Sequence, residues 1–204
     1  TWSCSTTRLG HAGVVTISRR APRAARCGLR ALGRGASGRV VTTEHDGFSL
    51  VNAYVPNAGE GLKNLPMRLE RWDPALARHS ARQGPRCIVA GDFNVAPAPE
   101  DVYDPIRLAR LRSPGFTQEE RASFRQHLLE RGLVDAFRQL HPQVCAYTFY
   151  SYRAQMRQKG KGWRLDHFLL TPALLPSLHD CFILDGCLGS DHVPVGLVIE
   201  PKRP

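Results

Sequence analysis

At 204 residues and 42% apolar content, with no unbroken apolar run long enough to span a bilayer, the chain suits one globular domain, residues 1–204, and excludes a membrane span or signal-peptide core. Its 28 basic and 18 acidic residues give a net charge of +10, which points to an anionic partner, nucleic acid being the commonest. Arginine outnumbers lysine 24 to 4, so where the charge lies says more than its total.

In chain order, Thr1-Trp2-Ser3-Cys4 carries no initiator Met, and the sequence reads as beginning part-way through a longer protein. Residues 11–18 predict a first strand. Residues 19–39 hold seven arginines among Ala and Gly with little apolar periodicity, which predicts a basic surface loop. Residues 40–45 and 48–55 flank Asp46-Gly47, a strong hairpin signal. Asn64 reads as an N-cap for a helix running to about residue 83, in which Pro66 is tolerated and Pro74 predicts a kink. Residues 87–94, Cys-Ile-Val-Ala-Gly-Asp-Phe-Asn, read as a buried central strand whose end carries Asp92 and Asn94. If the strand runs on, the two side chains share a face.

Further on, Thr117-Gln118-Glu119-Glu120 is a capping box for a helix to about residue 131, which Gly132 can close. Residues 133–140 predict a short helix. Residues 146–150, 164–171 and 193–200 predict strands, with a shorter one at 181–184. Six cysteines without a C-x-x-C pair read as thiols of a reducing compartment rather than a disulfide framework or a zinc site. Hairpin-joined strands with interspersed helices indicate a mixed, mainly antiparallel sheet.

The polar residues then fall at strand ends. Tyr54 and Asn57 end one strand, Asp92 and Asn94 another, Asp166 begins a third, and Ser190-Asp191-His192 precedes the last. In an antiparallel sheet one strand's end lies beside its neighbour's start, so these groups can gather along one edge. Carboxylates facing an anionic substrate make sense with a hard divalent cation between them, such as Mg²⁺ or Mn²⁺. Taken singly, each motif is also compatible with an ordinary turn or a surface acid.

Five segments together, Tyr54-Val55-Pro56-Asn57-Ala58-Gly59, Gly91-Asp92-Phe93-Asn94, Gly115-Phe116-Thr117-Gln118-Glu119-Glu120-Arg121, Gly162-Trp163-Arg164-Leu165-Asp166 and Gly189-Ser190-Asp191-His192, resemble the exonuclease III family of apurinic/apyrimidinic endonucleases, in the same order and over nearly the whole chain. The resemblance implies a four-layer α/β sandwich with its N-terminal part missing. It also implies a metal-dependent DNA phosphodiesterase of base-excision repair, which cuts double-stranded DNA 5′ to an abasic site and acts as a monomer. By the same resemblance Asp92 aligns or deprotonates the attacking water, Asn94 and Asn57 orient the phosphate, and Tyr54 stands near it. His192 hydrogen-bonds the phosphate and is oriented by Asp166, and the metal falls among Asp92, Asn94, Asp191 and His192. Phe149, Trp163 and Leu165 match an apolar pocket for the extruded sugar, with Arg157, Lys159 and Lys161 beside it to meet phosphates. The compartment expected is intracellular, the nucleus first, then a plastid or mitochondrion.

The sequence also departs from that family. An Asn near the first strand and a Glu in a Q-E-T-K-like segment, both metal-site residues, have no counterpart here. Residues 1–204 alone are therefore expected to incise abasic DNA poorly. The alternatives are a catalytically incomplete DNA-binding fragment and a phosphoesterase acting on another phosphodiester.

Overall fold

The computed structural model describes residues 1–4, 12–36 and 38–200. Its strands are β1 (Trp2–Cys4), β2 (Gly13–Val15), β3 (Ala24–Cys27), β4 (Val40–His45), β5 (Phe48–Tyr54), β6 (Cys87–Asp92), β7 (Val134–Asp135), β8 (Asp166–Leu170), β9 (Leu178–Ile183) and β10 (Val195–Ile199). Six of them form one sheet in the order β3-β4-β5-β6-β8-β7, while β1-β2 and β9-β10 are separate antiparallel pairs. Within the large sheet only β5 and β6 are parallel. A helical crossover over residues 65–81 joins them, as a parallel pair requires, whereas Asp46-Gly47 suffices for the antiparallel β4–β5 turn.

Strand alternation divides the core. On one face Val51, Ala53, Val89 and Leu169 meet Trp72, Leu76, Phe124 and Leu128 of the helices. On the other, Leu50, Ile88, Ala90, Phe168 and Leu170 meet Cys181, Ile183, Leu197 and Ile199 of the β9–β10 pair. Among the described residues this gives helix, sheet and sheet, three layers of the expected four-layer sandwich. Cys87, Cys145, Cys181 and Cys187 are unbridged thiols. No described helix is long and apolar enough to cross a membrane.

Several elements differ from the sequence reading for physical reasons. The first strand is shorter than residues 11–18, and His11 lies outside the described residues. Within residues 19–39, Ala24–Cys27 forms an edge strand on β4 and Arg30–Ala36 a 3₁₀ segment, so this stretch is not simply a loop. An edge strand exposed on both faces needs no apolar alternation, and its cations guard the open edge. Pro74 leaves the helix running; the turn before it, Arg68–Trp72, widens into a π-turn that accommodates the missing N–H. Asn64 makes no side-chain cap, because its amide donates to the Asn57 carbonyl at 3.1 Å.

The capping box forms as expected: Thr117 Oγ1 accepts from the Glu120 N–H at 3.1 Å, and Glu120 Oε2 accepts from the Thr117 N–H at 3.2 Å. Residues 133–140 split into β7 and a helix, Ala136–Leu140, capped by Asp135. Residues 146–150 make only isolated bridges from Phe149 to Trp163 and His192. The N–H groups of Thr148 and Phe149 both donate to the Trp163 carbonyl, at 2.8 Å each, and two donors on one acceptor interrupt a ladder.

Candidate active site

Strand register assembles the centre of the site. The parallel β5–β6 pairing sets Tyr54 opposite Asp92, and the antiparallel β6–β8 pairing sets Asp166 on the other side of Asp92. Residues paired across neighbouring strands point to the same face about 5 Å apart, so a phenol and two carboxylates stand in one row at the sheet end. Gly91, just before the row, has φ 130°, and a Cβ there would lie 2.0 Å from the Ala53 carbonyl oxygen. Only glycine lets β6 run this close to β5.

Asn94 reaches Asp92 by a turn and not by continuing the strand. β6 ends at Asp92, and Asn94 adopts a left-handed φ of 48°. Its N–H donates to Asp92 Oδ1 at 2.8 Å, and its Nδ2 donates to Asp92 Oδ2 at 2.9 Å and to the Val55 carbonyl at 2.9 Å. Its Oδ1 accepts from Asn57 Nδ2 at 2.8 Å. The buried Asn94 amide is thus engaged on protein atoms, which makes Asn94 the holder of Asp92 and Asn57. Asn57 remains exposed, its Oδ1 accepting from the Gly59 N–H at 2.7 Å.

The turn itself is fixed from below by a residue that sequence reading passed over. Arg68 is buried and donates to the carbonyls of Phe93 and Asn94, each at 2.7 Å, and to Glu120 Oε1 at 3.1 Å. The other Glu120 oxygen accepts from the N–H of Gly115 at 2.8 Å and the hydroxyl of Thr117 at 2.8 Å. A buried guanidinium and carboxylate need one another, so the Glu120 of the capping box is also the counter-ion of the active-site turn.

On the far side of the row, Asp166 Oδ2 accepts from His192 Nδ1 at 2.8 Å and from Thr148 Oγ1 at 2.6 Å. Thr148 Oγ1 in turn accepts from the N–H groups of Leu165 and Asp166 at 2.9 and 3.1 Å. This chain fixes the His192 tautomer with Nδ1 protonated, and leaves Nε2 of the part-exposed ring for a ligand. Burial by itself would lower the His192 pKa, but the bond to Asp166 and the charges of Asp166, Asp92 and Asp191 raise it above the ordinary imidazole range. Asp92 is pushed up to about 6 by burial and by the facing Asp166 charge, against the lowering effects of the Asn94 N–H and of His192. Asp191 accepts a long bond from Ser190 Oγ at 3.4 Å and acts on the site through its charge.

Beside His192 lies an apolar cluster. Phe149 and Trp163, both part-exposed, and buried Leu165 pack with Ala96, Val102 and Phe116. The Phe149 ring centroid is 5.0 Å from that of His192, and Trp163 stands edge-on to Phe116. Arg164, between Trp163 and Leu165 of this cluster, points into the protein and pairs with Asp101 at 2.6 Å and Asp135 at 2.8 Å. Its role is to anchor the segment that presents Trp163, Leu165 and Asp166.

Arg157 donates to the carbonyls of Asp185 and Cys187, and its guanidinium lies 5.5 Å from the Tyr150 ring centroid. These bonds tie its loop to the 185–187 turn. The Lys161 ammonium lies 5.7 Å from the Tyr103 ring centroid, and Lys159 is exposed.

Two carboxylates, an imidazole held by one of them and carboxamides thus gather at the end of an α/β sheet. The chain belongs to the Endonuclease/Exonuclease/phosphatase family, whose model matches residues 2–192. It is 40% identical over 97% of its length to the DNA repair nuclease APEX1 of Danio rerio, and 37% identical over 94% to a DNA-(apurinic or apyrimidinic site) endonuclease of Dictyostelium discoideum. It spans 64% and 54% of those relatives. Among solved structures it is similar to the 3′ phosphatase NExo from Neisseria bound to product DNA hairpin, with TM-score 0.78 and 31% identity, covering 90% of this chain and 73% of that one.

The apurinic/apyrimidinic endonucleases of this family depend on a divalent metal. Asp92, Asp166 and Asp191 offer hard oxygen donors of the right chemistry. However, the Asn94 amide is engaged on protein atoms, and the described residues hold no group of three or more His, Cys, Asp or Glu side chains placed to hold an ion. The expected metal set of Asp92, Asn94, Asp191 and His192 is not assembled. The described residues do not fit a complete metal site.

Proposed function

We propose that this chain carries the catalytic edge of a DNA-(apurinic or apyrimidinic site) endonuclease, hydrolysing the phosphodiester 5′ to an abasic site in duplex DNA, as a monomer and with Mg²⁺ or Mn²⁺ as the required ion. The observation that carries this reading is the row of Tyr54, Asp92 and Asp166 with His192 held by Asp166, immediately beside the apolar cluster of Phe149, Trp163 and Leu165.

Each residue has a task that its surroundings support. Asp92, held through both oxygens by Asn94, accepts a proton from the water that attacks phosphorus. His192, whose pKa is raised by Asp166 and the neighbouring carboxylates, donates from Nε2 as the imidazolium to a phosphate oxygen, where negative charge grows in the transition state. Asn57 and Tyr54 border the same phosphate, with the Arg39 guanidinium 4.6 Å from the Tyr54 ring centroid. Phe149, Trp163 and Leu165 offer an apolar surface for a sugar that lacks its base, and an abasic nucleotide is the cheapest to extrude because its stacking is already lost. The similarity to a 3′ phosphatase bound to a DNA hairpin favours trimming of 3′ ends as a second activity of the same edge. Work on damaged DNA calls for a DNA-holding compartment, the nucleus or else a plastid or mitochondrion.

The test is incision of an end-labelled duplex with one abasic site, beside an intact duplex, in Mg²⁺ and in EDTA. The expected product is a single nick 5′ to the lesion, formed slowly because the described residues hold only part of a metal sphere. Asp92→Asn and His192→Ala should each lower that rate by about two orders of magnitude or more while binding persists. Equal cutting of the intact duplex, or indifference to both substitutions, would overturn the reading.

A further inference from the structure

A second basic surface lies away from the catalytic row. The edge strand β3 and the 3₁₀ turn after it face the C-terminal part of the helix Asp73–Ala81 across a groove, lined by Arg26 and Arg30 on one wall and by Arg78, His79 and Arg82 on the other. A bond of 2.8 Å between Thr42 Oγ1 and His79 Nε2 ties the helix wall to β4. Thr42 pairs with Val51, three residues before Tyr54 on β5, which sets the groove roughly 10 Å behind the row at 3.3 Å per residue. Its far end is set further back still, where Ser49 Oγ donates to the Gln83 carbonyl.

The charges in this groove are largely unanswered. Among the described residues Arg30, Arg78 and Arg82 form no ion pair, and Arg26 pairs with Glu44 at 2.9 Å with its side chain 64% exposed. The positive field converges on half-buried His79, where burial and then the charges of Arg26 and Arg82 hold the imidazole below its ordinary range. A helix C-terminus favours nearby cations, which accounts for Arg78 and Arg82 but not for Arg30 on the opposite wall. Of the apolar lining residues, Leu29 and Ala75 are each only 2% exposed and the exposed one, Ala31, is a single methyl, so the groove offers a protein segment no large apolar anchor. It also has no aromatic face for stacking bases. What remains is a line of guanidinium forks, whose geometry suits phosphate.

We propose that this groove is a second nucleic-acid site, which holds the phosphodiester backbone of a duplex through Arg26, Arg30, Arg78 and Arg82 without reading its sequence. It does not depend on the catalytic reading, since it concerns intact duplex and a surface outside the row.

The test is binding of the chain to intact duplex DNA by fluorescence anisotropy over a range of salt. The four substitutions Arg26→Gln, Arg30→Gln, Arg78→Gln and Arg82→Gln together should weaken binding at low salt by about tenfold or more and flatten the salt dependence by about two to four phosphate contacts. The corresponding four Arg→Lys changes should keep most of that slope, which separates charge from misfolding. Glu44→Gln, by freeing Arg26, should tighten binding. Incision of a short abasic duplex should be unaffected in all three variants. An unchanged affinity and slope in the folded Gln variant would overturn the proposal. So would displacement of duplex from the chain by polyglutamate at lower charge concentration than by competitor DNA, since that would assign the groove to an acidic protein.

Discussion

Replacing Arg68 with leucine strikes the support of the active-site turn rather than its chemistry. Arg68 and Glu120 are 2% and 0% exposed, so the substitution strands a carboxylate that water cannot reach. It also takes donors from the Phe93 and Asn94 carbonyls, which are bonded at 2.7 Å each. Nearby Asp73, whose pKa is already raised by burial against the lowering charge of Arg68, would rise further. Breaking a buried ion pair from one side costs about 3–5 kcal/mol. With a urea slope of about 3 kcal/mol per molar for a chain of this size, the unfolding midpoint should fall by about 1–2 M. Adding Glu120→Gln should recover about 1–2 kcal/mol of that loss, because the stranded charge is removed with its partner, and the two changes should be clearly non-additive. Turnover should fall as well, since the carbonyls that pin the left-handed Asn94 turn lose their donor. Equilibrium urea unfolding of the two single variants and the double variant provides the check. A loss under about 1 kcal/mol for Arg68→Leu, or simple additivity in the double variant, would refute the reasoning.

Asp92 should trade stability for activity. Its pKa is raised from 3.8 to about 6 in the folded chain, so the stability it contributes is present below pH 3.8 and lost as pH rises through about 6. In metal-free buffer, the stability of the chain relative to Asp92→Asn should therefore fall as pH rises from about 4 through about 6, readable by calorimetry as a shrinking difference in thermal midpoint; a difference independent of pH would show that the charged form is not penalised. Incision should decline as pH falls through about 6, where Asp92 takes up the proton it has to leave room for, and a flat profile from pH 5 to 8 would remove Asp92 as the base. In the basic loop before Trp163, Lys159→Gln with Lys161→Gln should flatten the salt dependence of DNA binding by about one to two contacts. Arg157→Gln, which breaks the tie to the 185–187 turn, should instead appear as about 1 kcal/mol of lost stability in a thermal melt with the salt slope unchanged.

The sequence by itself determined the elements whose signals are local. Apolar β-branched residues mark β6, Asp46-Gly47 marks the β4–β5 turn, and Thr117 with Glu120 marks a helix start, since each depends only on neighbours within a few residues. The candidate residues were legible as motifs at strand ends, and the fold places Asp92, Asp166, His192 and the Phe149–Trp163–Leu165 cluster near one another. Tertiary structure decided how they do so. Tyr54, Asp92 and Asp166 form a row only because two separate strand registers align them, one parallel and one antiparallel. Asn94 joins Asp92 through a left-handed turn and is engaged on protein atoms, which alternation along a strand could not reveal. Arg68 and Glu120 lie 52 positions apart, and Arg164 and Asp101 63, so no local pattern marks them as partners. Nor does a run of basic residues say which cation faces solvent: Arg157 is turned back onto the 185–187 carbonyls, while Arg30, Arg78 and Arg82 line one groove. The reason is common to all of these. Periodicity and turn chemistry report the conformation of a few residues, whereas a buried charge or a polar side chain is assigned by whichever distant group satisfies it once the chain is folded.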